Sequence, residues 1–152
     1  MNNKWQNRFI ELAKVVSTWS KDPSTQIGAV IVDPKTRNIL SVGYNGFPRG
    51  MNDFNDRLQN REIKYRYVVH GEHNAILNAA LNGVKLEGSQ LYVYGLPICN
   101  ECAKAIIQVG IKEVYAFVTH DNPIWEESTK YSKIMFQETE VKYEIISGVI
   151  GP

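Results

Sequence analysis

The sequence predicts an α/β fold: a three-layer α/β/α sandwich around a mixed five-stranded sheet, in which an antiparallel hairpin is followed by parallel strands. Three observations predict it. Two strand-like runs near the start are separated only by a turn cluster, which makes a hairpin. After them, helix-period and strand-period segments alternate, and strands joined through helices run parallel with right-handed crossovers. The length, 152 residues, suits one domain with one core, taken here as 1–152.

The elements follow in order. Trp5, Phe9, Leu12, Ala13, Val16 and Trp19 recur at three- and four-residue steps, which predicts an amphipathic helix over 3–20 with both tryptophans on its packed face. Pro23 stops it. Residues 26–33 are apolar and β-branched, 33–38 form a turn cluster, and 38–44 return as the second strand. Gly28, inside the first strand, lets a ligand or a helix approach the backbone, or serves plain packing. Residues 43–50 hold three glycines and a proline and form a shaped loop, with Asn45-Gly46 suited to left-handed angles. The polar stretch up to Tyr67 allows one short helix over 56–65.

Beyond it, 71–82 reads as a helix closed by Gly83, with Ala75, Ile76, Ala79 and Ala80 inward. Strands are predicted over 90–94, 113–118 and 141–146. A buried helix covers 100–109, and an amphipathic one covers 124–137 through Ile124, Tyr131, Ile134 and Met135. In such sheets ligands bind off the carboxyl ends of the strands, where the pair Cys99 and Cys102 falls.

Charge and composition narrow the function classes. A formal net charge of +1 lacks the basic excess of a nucleic-acid footprint. No apolar run approaches membrane-spanning length, and Met1-Asn2-Asn3-Lys4-Trp5 is not the start of a signal peptide, so a cytoplasmic protein is expected. The two cysteines are spaced C-x-x-C, which suits metal or redox use better than a disulfide staple.

His70, Cys99 and Cys102 supply three zinc ligands and leave a tetrahedral ion one position for water. Both cysteines fall at a helix start, where the dipole favours thiolate. Glu72, two residues from the histidine, is placed to shuttle protons between that water, a ring nitrogen and a departing amine. Other readings stand beside this one. His73 could close a structural four-ligand site, or Cys99 and Cys102 could form a redox pair. His120, at the end of the fourth strand, either lines the pocket or caps the strand.

These residues resemble the deoxycytidylate (dCMP) deaminase family of the zinc-dependent cytidine deaminase superfamily. The likeness is carried by H-x-E with C-x-x-C and by the segments SKDPSTQIGAVIV, GYNGFPRG, YRYVVHGEHNAILNAA and CNECAKAIIQVGIKEV. It implies a cytidine deaminase-like fold with one Zn2+ per subunit at His70, Cys99 and Cys102, a proton shuttle at Glu72, and conversion of dCMP to dUMP for thymidylate synthesis. It further implies a sugar contact from Asn45. Gly43 and Tyr44 would lie near a site for the effectors dCTP (activating) and dTTP (inhibiting), with Mg2+, in a homohexamer. Arg49 or Lys21 could meet a phosphate, or both are solvated loop charges. The chain departs from the family in Pro97-Ile98-Cys99, where proline usually precedes the first cysteine directly, and in Gly71, where alanine is usual. Within the superfamily, cytidine, tRNA adenosine and a riboflavin-pathway pyrimidine remain rival substrates. A non-catalytic zinc-bound nucleotide sensor is the rival of another class.

Overall fold

The first helix, α1 (Lys4–Ser17), starts where the Asn3 side chain accepts the Trp5 N–H at 2.9 Å, satisfying one of the amides that a helix start leaves unpaired. It stops short of the expected Ser20. The Ser17 and Thr18 hydroxyls donate to the Lys14 and Val15 carbonyls at 2.6 Å each, and such local bonds compete with continuing the helix. Trp19 therefore lies beyond the helix. It is 52% exposed and meets Tyr44 edge-on, which corrects its expected place in the core. This is a computed structural model, and it describes residues 3–119 and 122–146.

The hairpin forms as the sequence indicates, from β1 (Gly28–Val32) and β2 (Ile39–Tyr44). On its other side β1 pairs, again antiparallel, with β3 (Gln90–Gly95). Then β4 (Glu113–Val118) and β5 (Lys142–Ile146) add in parallel, giving the order β2-β1-β3-β4-β5. The one reversed strand is thus internal, and all five of its residues are buried.

Period-two alternation splits the core. Ala29, Ile31, Leu91, Val93, Val114 and Ala116 point to one face, against Ala75 and Ala79 of α4 (Gly71–Leu81), Ile106 of α5 (Asn100–Gln108) and Phe136 of α6 (Glu126–Glu138). Val30, Val32, Tyr92 and Tyr115 point to the other, against Phe9, Ile10, Ala13 and Val16 of α1. The edge strand β2 is tied to α4 by side chains: the Asn74 and Asn78 amides donate to the Tyr44 and Val42 carbonyls, each at 2.8 Å.

Three further readings need correction. Ala80, expected inward, is exposed, while α4 buries Ala75, Ile76 and Ala79. The helix expected over 56–65 is two, α2 (Asn55–Gln59) and α3 (Arg61–Tyr67), broken at Asn60, whose side chain caps α3 by accepting the Ile63 N–H. In α6 only Met135 of the expected apolar stripe packs against the core. Ile124, which lies in the 3-10 turn before the helix, Tyr131 and Ile134 are exposed, and the buried positions are Ser132 and Phe136. Ser132 can be buried because its hydroxyl donates to the Ile98 carbonyl at 2.8 Å. His120 lies outside the described residues. Among the described residues no helix is long and apolar enough to cross a membrane.

The use of Gly28 is settled by α1. A Cβ built there would sit 1.9 Å from the Ala13 carbonyl oxygen and 2.6 Å from the Ser17 nitrogen, both backbone atoms. Gly28→Ala is therefore expected to push α1 off the sheet and cost about 3 kcal/mol, read from urea unfolding. An unchanged midpoint would refute the close-approach account.

Candidate active site

Two helix starts meet at the site. His70 is the residue preceding α4, and Cys99 is the residue preceding α5, where its Sγ accepts the Cys102 N–H at 3.4 Å. The two sulfurs each lie 3.4 Å from His70 Nδ1, and the three donor atoms are all within 4.8 Å of one another. A sulfur and a nitrogen bound to one tetrahedral ion sit about 3.6 Å apart, given ordinary zinc bond lengths, so the trio has the size of a metal site. Both cysteines are free thiols. His73 is exposed and is not part of the trio, so the four-ligand arrangement with His73 is not what forms.

Neighbouring backbone fixes each member. Gly46 and Val69 exchange N–H···O bonds of 3.1 and 2.8 Å, which holds the chain just before His70. Asn45 anchors that loop: its Oδ1 accepts the Ile27 N–H and its Nδ2 donates to the Thr25 carbonyl, both at 2.8 Å, while the Ser20 hydroxyl donates to its carbonyl at 2.7 Å. Before Cys99, the Ile98 N–H donates to the Tyr143 hydroxyl at 3.0 Å. Proline at 98 could not make that bond. The Asn100 N–H donates to the Ser128 hydroxyl at 2.8 Å.

Electrostatics prepare the trio for a cation. The thiolate of Cys99 is stabilised by a hydrogen bond from Cys102 and by His70, so the first proton leaves this pair more readily than it leaves a free thiol. The second is held in place by the negative charge already there and by burial. His70 is pushed up to about 9, chiefly by its hydrogen bond to Cys99 and further by the charge of Glu72, against the effect of burial. Glu72, in the first turn of α4, is 5% exposed. Burial raises its carboxyl above the ordinary value, with His70 opposing.

A cavity of about 110 Å3 opens onto these groups. His70, Glu72 and Cys99 line it together with Asp22, Ser24, Thr25, Ile27 and Asn45. Arg61, Lys64 and Tyr65 of α3 also line it, as do Asn122, Ile124 and Trp125 before α6. Other residues singled out from the sequence lie elsewhere. Gly43 belongs to β2, where a Cβ would sit 2.2 Å from the Ala75 nitrogen, so it serves the packing of α4. Tyr44 is exposed against Trp19. Lys21 pairs with Asp53 on the surface at 2.7 Å, and Arg49 bonds the Asn78 side chain; neither lines the cavity.

The sequence reading missed a buried ion pair. Lys64 Nζ lies 3.2 Å from Asp22 Oδ2 and 3.1 Å from Ser24 Oγ, and both charged side chains are 6% exposed. Burial alone would raise the Asp22 carboxyl, but the Ser24 and Thr25 N–H groups, Lys64 and the Ser24 hydroxyl outweigh it and hold it below the ordinary value. The residues are 42 positions apart, and no local spacing signals such a pair.

Comparison with known proteins places this geometry. Residues 3–118 match the model of the cytidine and deoxycytidylate deaminase zinc-binding region. An uncharacterised deaminase encoded in the luxG 3′ region of Aliivibrio fischeri is 44% identical over 144 residues, 93% of each chain. The deoxycytidylate deaminase of Mus musculus is 39% identical over 147 residues, covering 92% of this chain and 78% of that one. The crystal structure of a dCMP deaminase from cyanophage S-TIM5, in complex with dCMP and dUMP, superposes with a TM-score of 0.75 at 25% identity, over 96% of this chain and 99% of that one.

Removing the anion of the buried pair strands a buried ammonium. Asp22→Asn is expected to cost about 3–5 kcal/mol at neutral pH. Because the folded pKa of Asp22 is depressed, its contribution is present above the unfolded value near 3.8 and is lost as pH falls through the folded one. The gap between wild type and Asp22→Asn in urea unfolding should therefore shrink in acid. A gap constant from pH 7 to pH 3 would contradict the pairing.

Proposed function

We propose that this chain, which belongs to the cytidine and deoxycytidylate deaminase family, hydrolyses dCMP to dUMP and ammonia. One observation carries the reading: a histidine and two cysteines are close enough to share one ion, and His70 and Cys99 of that trio line one cavity with the buried Glu72. His70 Nδ1, Cys99 Sγ and Cys102 Sγ would hold one Zn2+ per subunit, and three ligands leave a coordination position open. Zinc bound there supplies a Lewis acid that makes water nucleophilic at neutral pH.

The remaining work falls to the chain's own groups. The Glu72 carboxylate takes a proton from the attacking water and passes it to the ring nitrogen N3; it then takes the second proton from the new C4 hydroxyl and gives it to the amino group, which leaves as ammonia as the C4 carbonyl forms. Its burial brings its affinity for a proton closer to what this exchange needs. Asn45 uses one N–H on Thr25, which leaves the other for a sugar hydroxyl. The named relatives and a net charge of +1 favour a mononucleotide over a tRNA. The same reading extends to dUMP supply for thymidylate synthesis, a cytoplasmic setting and a homohexamer. It also extends to control by dCTP and dTTP with Mg2+ beside Tyr44.

Two variants test the assignment. Glu72→Ala should keep one equivalent of zinc by metal analysis and lose ammonia release from dCMP by about 10²- to 10⁴-fold; equal rates would point to a nucleotide sensor instead. Cys102→Ala should lose both the metal and the activity. Wild-type turnover of an RNA hairpin but not of dCMP would overturn the substrate.

A further inference from the structure

The charges lining the cavity are unequally matched. Among the described residues three side chains that can be cationic line it: His70, Lys64 and Arg61. His70 lies against the two sulfurs. Lys64 is held by Asp22 and Ser24 in a pocket where both charged side chains are 6% exposed. Arg61 differs. It lies on α3 three residues before Lys64, and so on the same helix face. Among the described residues it makes no ion pair and no side-chain hydrogen bond. A guanidinium offers a planar fork of donors that matches phosphate oxygens in pairs.

We infer that Arg61 is the residue that selects a 5′-monophosphate over the phosphate-free nucleoside, with the Lys64–Asp22 pair acting as the positioning device that holds α3, and with it Arg61, over the cavity. The inference rests on the deaminase reading above. The pair is needed because α3 is only seven residues long, too short to hold its place by its own hydrogen bonds. Lys64 cannot itself serve the phosphate without abandoning a buried carboxylate. One unmatched guanidinium suits one phosphate group. A triphosphate would bring two further phosphate groups, and among the described residues the cavity lining has no second unmatched cation for them, so the site favours dCMP over dCTP as substrate.

The test is steady-state kinetics of the zinc-loaded protein with dCMP and with deoxycytidine. Arg61→Gln should lower the ratio of kcat/KM for dCMP over deoxycytidine roughly 10- to 100-fold, mainly through the KM for dCMP, and Arg61→Lys should restore part of it. Lys64→Met should lower the same ratio if α3 is held as described. If that variant does not fold, the Arg61 pair still decides, since Arg61 is exposed. An unchanged ratio in Arg61→Gln, or an equal loss on both substrates, overturns the Arg61 assignment while leaving the deaminase reading intact. Failure of the wild type to turn over dCMP overturns that reading and the inference with it.

Discussion

The contact on which the rest of the structure depends is the approach of one imidazole nitrogen to two sulfurs, 3.4 Å in each case. It requires α4 and α5 to begin side by side, since His70 precedes one and Cys99 precedes the other. Helix starts carry unpaired amides and partial positive charge, which favour thiolate. That same charge would disfavour a protonated imidazole, yet His70 is raised because the Cys99 sulfur and the Glu72 carboxylate face it. The site thus gathers negative character in a buried place, an arrangement that only a bound cation or a shared proton can balance.

The scaffold serves that requirement. β1, buried throughout and paired on both sides, gives the sheet a rigid centre. At its start Ile27 binds Asn45, Asn45 holds the loop that grips Val69, and Val69 leads into His70. The glycine-rich loop is therefore a clamp for His70. Gly43 lets α4 come down on β2 and so fixes the depth of the helix that carries Glu72.

Much of this was legible in the chain, and the reasons for success and failure are physical. That His70, Cys99 and Cys102 come together, with Glu72 close by, was readable because a C-x-x-C pair and an H-x-E pair are restricted in residue type and spacing. The alternation of strands and helices was readable because burial imposes periods of 2 and 3.6. Trp19 was misread because hydroxyl back-bonds from Ser17 and Thr18 end α1 early, and periodicity cannot register that. The face of α6 was misread because a serine with a satisfied hydroxyl can take a core position while isoleucine and tyrosine stay in water. The Lys64–Asp22 pair, and with it the role of α3, was out of reach because two distant polar segments meet only in three dimensions.

One feature of the loop before Cys99 bears on inheritance. Ile98 offers an N–H that Tyr143, on the outermost strand, accepts. A lineage with proline at 98 has no such donor, and its position 143 is released from keeping a phenol there. The two sites should drift as a couple: gaining the imino acid makes the hydroxyl dispensable, while losing the hydroxyl first leaves a buried amide orphaned until the imino acid arrives. The order of those steps is thereby constrained, and the farthest strand of the sheet is bound into the history of the cysteine loop.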